Sequence, residues 1–324
     1  MGDFSADPLS NTGAAPPVAA GPSGPEPPYE LIRDRMQRGR IIPFLGAGAS
    51  LVGHPGETAW SSPKCDFLPK AWELAEYLDR RSGYPSNATP ELTRVAQYFE
   101  GVAGRQGLDD ELRDVFARRF QIGALHKYLA TSNCRLLVTT NYDCILEQAF
   151  EEKGRSYHHV VYRNGAPTLF YQKYDAATGA TSACAELVPN ELVIPMDDTP
   201  VIYKMHGSAD PLKAERDSYL ITEDDYVQFL ARMVANTAIP AIFAEPFKTS
   251  HLLFLGYGLQ DWNLRVILHK IWQEWPSRRA AWAIQHKALP LEKEFWSRRQ
   301  LTIYEKTIDQ LLEQLDEKTH AAQS

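Results

Sequence analysis

Four short apolar runs, each stopped abruptly by small or polar residues, constrain this chain more than any other feature. They occupy residues 40–45, 135–139, 201–205 and 252–255, and two more of the same kind follow at 281–285 and 301–305. Short continuous apolar runs suit strands buried on both faces, because neither face meets water. Segments with helical spacing of apolar residues separate several of them, at 29–39, 144–153, 263–275 and 308–318. Strands alternating with helices predict an α/β fold with a mostly parallel sheet and helices on both faces, in which ligands bind beyond the carboxyl ends of the strands.

Between residues 66 and 130 the apolar positions recur at helical spacing without an intervening strand: Leu68, Trp72, Ala75 and Leu78, then Leu92, Val95, Ala96 and Phe99, then Leu108, Leu112, Val115 and Phe116. We read an inserted helical module there. Residues 157–200 mix aromatic and β-branched residues with Gly, Pro and Asn, which predicts irregular structure with a hairpin. Residues 1–28 are rich in Gly, Ala, Pro and Ser and read as a disordered tail. Residues 319–324 read as a disordered end, leaving 29–318 as the folded domain.

The 324 residues, 44% of them hydrophobic, are enough for a substantial core. A net charge of -7 argues against a nucleic-acid partner. No apolar run approaches the roughly 20 residues of a membrane span, and no secretion signal opens the chain, so a cytoplasmic protein without membrane contact is expected. Cys65, Cys134, Cys144 and Cys184 lack the paired spacing of a zinc ribbon, so no zinc ribbon and no other metal is expected.

The strand ends carry the chemistry. Gly46, Ala47, Gly48, Ala49 and Ser50 follow the first run; small residues there let backbone amides approach a pyrophosphate, or simply make a tight strand-to-helix turn. The third glycine of a dinucleotide fingerprint is replaced by Leu51, and no Walker lysine follows. Thr139, Thr140, Asn141, Tyr142 and Asp143 follow the second run. Asn141 and Asp143 offer donors and acceptors to a carboxamide and a ribose, or cap the next helix. After the third run His206 precedes Gly207, and an imidazole there is suited to accept a proton from a ribose hydroxyl or water. The other eight histidines read as structural. Gly256 and Gly258 end the fourth run and permit close approach to adenosine, while Asp261 reads as a helix cap.

In this order the clusters resemble the sirtuin family, and most closely its bacterial, zinc-free members: Thr-Thr-Asn-Tyr-Asp, Lys-x-His-Gly-Ser and Phe-x-Gly-Tyr-Gly are all present. The resemblance implies a Rossmann-like fold and NAD as substrate. It implies that Gly46, Ala47, Gly48 and Ser50 contact the phosphates and adenosine side, that Asn141 and Asp143 face the nicotinamide ribose and carboxamide, that His206 is the base, and that Gly256 holds the adenosine end. Thr140 and Tyr142 stand where deacylating sirtuins have Gln and Ile, and neither their four-cysteine module nor their Phe-Gly-Glu peptide strand is present. Water is then the expected acceptor of ADP-ribose, and His206 and Asn141 are the expected catalytic residues. The implied activity is NAD hydrolysis by a triggered effector of anti-phage defence, acting by abortive infection. The rival readings are a non-catalytic NAD or ADP-ribose sensor and a protein deacylase. By analogy with the family, a homo-oligomer and a separate sensor or ATPase subunit are expected.

Overall fold

The computed structural model describes residues 25–55, 59–85, 91–235, 238–259, 262–274 and 279–321. Most of the expected N-terminal tail therefore lies outside the described residues, as do residues 322–324 and Asp261. In chain order the elements are α1 (Tyr29–Gln37), β1 (Ile41–Leu45), α2 (Ala71–Ser82), α3 (Leu92–Phe116), α4 (Ala124–Thr131), β2 (Leu136–Thr139) and α5 (Ile145–Glu152). Then come β3 (Tyr157–Tyr162), β4 (Leu169–Asp175), β5 (Ala180–Thr181), β6 (Ala185–Leu187), β7 (Val201–Lys204), β8 (Gly207–Ser208), β9 (Ser218–Tyr219), α6 (Glu223–Val234) and α7 (Ala244–Thr249). The chain closes with β10 (His251–Leu255), α8 (Trp262–Glu274), β11 (Ala281–Gln285), α9 (Pro290–Ser297), β12 (Leu301–Glu305) and α10 (Ile308–Ala321).

The expected α/β architecture is present. Strands β12, β11, β10, β1, β2, β7 and β3 lie side by side in that order, every neighbouring pair parallel. Strand β4 then turns antiparallel on β3, and β5 and β6 both pair with β4. The pleat sends alternate residues to opposite faces, and β1 makes this visible: Ile42 and Phe44 join one core, Ile41 and Leu45 the other. Phe229 of α6, Phe247 of α7, Ile267 and Ile271 of α8 and Trp296 of α9 cover the first face. Ile32 and Met36 of α1, Leu129 of α4, Phe150 of α5 and Leu311 and Leu315 of α10 cover the second. Phe44 is fully buried with its ring 5.0 Å from that of Phe254; burying a side chain of this size contributes about 2 kcal/mol.

Helices α2 and α3 form a third core of their own around Leu78, Val95, Leu108 and Leu112, which rests on Ile145, Tyr219 and Ile221 of the α/β body. The two apolar stretches at 92–99 and 108–116 are two helical segments that follow one another within α3, broken by a kink at Gly104, whose φ of 75° and ψ of 165° no helical residue adopts. Trp72 departs from the helical pattern read around it and is 45% exposed. Leu68 precedes the helix cap at Lys70, so the spacing from 68 to 72 is not helical. The segment after β7 holds α6 and α7, for which no element was read. Helix α6 begins with a capping box, Thr222 accepting from the Asp225 amide while the Asp225 carboxylate accepts from that of Thr222.

Candidate active site

From β1 the chain passes to β2 beside it and on to β3, comes back with β7 into the place between β2 and β3, then crosses to the other side of β1 with β10 and continues outward to β11 and β12. Strand order therefore reverses between β1 and β10, and a crevice beyond the carboxyl ends of the strands is expected at such a reversal. Two turns meet there. The Gly46 amide donates to Leu255 O at 3.0 Å and the Gly48 amide to Gly256 O at 2.9 Å. Gly256 has φ +73°, and a Cβ on it would lie 2.1 Å from the Ala49 nitrogen. A Cβ on Gly46 would meet Gly256 O and the Tyr257 ring at 2.8 Å, and one on Gly48 would meet Gly256 O at 2.9 Å. The space that these glycines leave is thus filled by the opposing turn.

The turn after β2 is tied to the same place. Thr139 Oγ1 donates to Leu45 O at 3.1 Å and accepts from the Asn141 amide at 3.0 Å. Both side-chain N–H groups of Asn141 are engaged, Nδ2 donating to Gly46 O at 3.0 Å and to Ser50 Oγ at 2.8 Å. Its Oδ1 is the atom left to accept a bond. Asp143 is buried, and its Oδ1 accepts from the Ile145 amide, the first of α5, at 3.0 Å, which fixes the carboxylate against the helix start. Tyr142 donates to Leu220 O at 2.5 Å and so leans on the segment before α6.

His206 follows β7 and is 7% exposed. Its ring stands edge-on to Tyr226 at 5.5 Å and to Phe229 at 5.7 Å, and its Nε2 is buried without a hydrogen-bond partner among the described residues. Burial in this aromatic wall pushes the imidazole down to about 3, so the ring is neutral at physiological pH. Gly207 then has φ +92°, and a Cβ there would lie 2.0 Å from Ser218 O, which makes glycine a packing requirement beside the imidazole.

These turns enclose a cavity of about 830 Å³, in the size range of small-molecule and cofactor sites. Ala47, Ser50, Asn141, Asp143, His206 and Gly256 all line it. Gly46 and Gly48 stand behind, packed on the β10 turn, and are not lining residues. The wall also contains residues that sequence reasoning did not single out: Tyr257, whose hydroxyl lies 3.1 Å from Thr140 Oγ1, Tyr226 of α6, and Leu68, Leu74, Leu92 and Phe116 of the helical module. Tyr257 was legible as a neighbour of Gly256 in the glycine-rich strand end. Tyr226 was legible only once the Thr222–Asp225 capping pattern is taken as a helix start.

Three other histidines serve elsewhere. His158 bonds the Tyr171 hydroxyl, His251 lies parallel to Trp282, and His54 meets the buried carboxylate of Glu73 at 2.9 Å. The four thiols are unpaired. No group of three or more His, Cys, Asp or Glu arranged to hold a metal ion occurs among the described residues, and none of their helices is long and apolar enough to cross a membrane.

Residues 135–304 match the model of the SIR2-like domain. An NAD(+) hydrolase ThsA of Enterococcus faecium is 28% identical over 263 residues, 79% of this chain and 45% of that protein. A ThsA of Bacillus cereus (strain MSX-D12) is 26% identical over 245 residues, 75% of this chain and 42% of the relative. Defense-associated sirtuin 2 of Bacillus subtilis is 23% identical over 243 residues, 74% of this chain and 20% of the relative. The chain thus spans less than half the length of these relatives. With more than half of it matched, and with its strand-end turns converging at the sheet reversal, the chain belongs to the SIR2-like domain family.

Proposed function

We propose that this protein hydrolyses NAD at the nicotinamide–ribose bond, releasing nicotinamide and ADP-ribose. The observation that carries the reading is the convergence of Asn141 and His206, 65 positions apart in sequence, on one cavity at the strand-order reversal. The curated relatives named NAD(+) hydrolase support it. Nicotinamide leaves as a neutral molecule and needs no proton from the enzyme; the work is to orient the sugar and water and to stabilise an oxocarbenium-like ribose. Asn141 Oδ1, fixed by the two bonds that its Nδ2 makes, accepts from the attacking water or a ribose hydroxyl. His206, neutral because it is buried, is free to take the proton that the water gives up as its oxygen bonds the ribose carbon and the bond to nicotinamide breaks. Ala47, Ser50 and Gly256 contact the dinucleotide, Gly46 and Gly48 shape the turn that does so, and Asp143 holds the helix start behind the ribose and carboxamide.

The relative named defense-associated sirtuin supports a role in defence, which we read as anti-phage defence by depletion of NAD in the cytoplasm. Such an effector must be silent at rest, and assembly into a homo-oligomer or engagement of a sensor or ATPase subunit supplies the trigger. The test is to incubate purified protein with NAD and quantify nicotinamide and ADP-ribose for the parent, His206→Ala and Asn141→Ala. Equimolar products are expected from the parent, with at least about a 100-fold loss in each variant. Equal yields from all three proteins rule out the mechanism. Binding without turnover favours a sensor, and nicotinamide release only alongside acyl-peptide consumption favours a deacylase.

A further inference from the structure

Lys204, the last residue of β7, is 1% exposed, and Glu147 in the first turn of α5 is 4% exposed. Lys204 Nζ lies 3.2 Å from Glu147 Oε1 and donates to the main-chain carbonyl of Asp143. His159 of β3 brings its Nε2 within 3.0 Å of the same Glu147 oxygen. Although burial pushes the Glu147 carboxyl up, Lys204 and His159 together bring it down to about 2, so the carboxylate is ionised. Neither Lys204 nor Glu147 lines the cavity.

Stability alone explains this arrangement poorly. Removing two charges from water is expensive, and apolar side chains of similar volume commonly support a fold as well or better. What an ammonium provides that a hydrocarbon does not is a directed N–H. Here it reaches from the strand that ends two residues before His206 to the carbonyl two residues after Asn141, joining the two turns below the cavity. Main-chain bonds join them as well, Met205 N to Thr139 O at 2.8 Å and Ala209 N to Tyr142 O at 3.0 Å, but these leave the Asp143 end of the turn untied.

We infer that Lys204, clamped by Glu147, is a positioning residue that fixes the Asn141 turn relative to the His206 turn. The inference rests on the NAD-hydrolysis reading, because the geometry it fixes is that of the proposed catalytic pair.

The decisive variant is the double substitution Lys204→Met with Glu147→Leu, which removes both charges together, so that neither is left buried without the other. It is expected to melt within a few degrees of the parent and to keep KM for NAD within twofold, while kcat falls at least tenfold. Lys204→Arg, which restores a donor, is expected to recover part of that kcat. A folded double variant with kcat within twofold of the parent overturns the proposal. Glu147→Gln retains the shape and keeps the proposal testable if the double variant does not fold; it too is expected to lower kcat at constant KM, and an unchanged kcat counts against the clamp. If the parent releases no nicotinamide without its trigger, amide exchange decides the clamp by itself. Exchange at Asn141, Ile145 and Ala209, whose amides are bonded into the turn, is expected to quicken at least tenfold in Glu147→Gln, with β10 amides unchanged, whereas unaltered protection at the turn overturns it.

Discussion

The two residues proposed for chemistry are prepared in opposite ways. Asn141 spends its donors on Gly46 O and Ser50 Oγ, so replacing it with alanine also loosens the β1 turn, by about 1 kcal/mol for each bond lost. Melting curves must therefore accompany the turnover assay for Asn141→Ala. His206 is enclosed by rings and held near 3 against an ordinary imidazole value of 6.5. The native state then binds fewer protons than the unfolded chain, so the stabilisation is complete above pH 6.5 and drains away as pH falls towards 3, at up to about 1.4 kcal/mol per pH unit. Denaturant titrations of the parent and His206→Leu at pH 7 and pH 4.5 are expected to differ in pH dependence by about 2.5 kcal/mol, the parent losing more. Identical pH dependence would mean that the ring is not buried as described. Turnover between pH 5 and 8 is expected to show no inflection from this ring, since its protonation lies below that window.

Among the elements, the strands of the parallel sheet were legible and their neighbours less so. Residues 281–285 and 301–305 are strands over the full expected span, and the runs beginning at 40, 135, 201 and 252 differ by a residue at one end, because burial on both faces leaves an unbroken apolar signal. Strands β3 to β6 lie at and beyond the sheet's parallel edge, where partly exposed faces mix polar and aromatic residues, and only a hairpin was readable. In the site, the sequence pointed to the residues that converge but not to what their glycines do. The smallness of Gly46, Gly48 and Gly256 serves the packing of two turns against each other, a contact between segments more than 200 positions apart that no local pattern encodes. This distinguishes two nearby substitutions. Gly256→Ala meets both a positive φ and the Ala49 backbone and is expected to cost at least about 2 kcal/mol. Gly258→Ala enters open space and is expected to change stability by less than about 0.5 kcal/mol. Thermal melts of the two variants side by side settle the matter, and equal losses would contradict the interlocked turns.

At the scale of the molecule, the cavity has walls from two cores, the α/β body and the α2–α3 module, so its shape depends on how these are held together. The start of α6 is the main polar seam. Glu223 accepts from Arg94 at 3.2 Å, Asp224 from Gln97 at 3.1 Å, and Asp225 from Arg105 at 2.9 Å to each carboxylate oxygen. Arg105 stands directly after the Gly104 kink, and its second terminal nitrogen donates to Tyr219 O. The bend in α3 thus delivers a guanidinium to a carboxylate that also caps α6. Burial raises the Asp225 carboxyl, but the Arg105 charge and the Ile221 and Thr222 amides outweigh it and lower the carboxyl overall. Its contribution is therefore present above the ordinary aspartate value of 3.8 and lost as pH falls through the depressed one. Arg105→Met preserves most of the aliphatic packing and removes the fork. Because Arg105 is about a third exposed, the expected loss is about 2 kcal/mol and not the larger cost of a fully buried pair. The effect on function is expected in KM for NAD, at least threefold upward, because Leu74, Leu92 and Phe116 of the module form one wall of the cavity, with kcat changing less than KM. Denaturant unfolding and steady-state kinetics on this variant test both parts. A stable protein with parental KM would mean that the module is held by its apolar contacts with Ile145, Tyr219 and Ile221 alone.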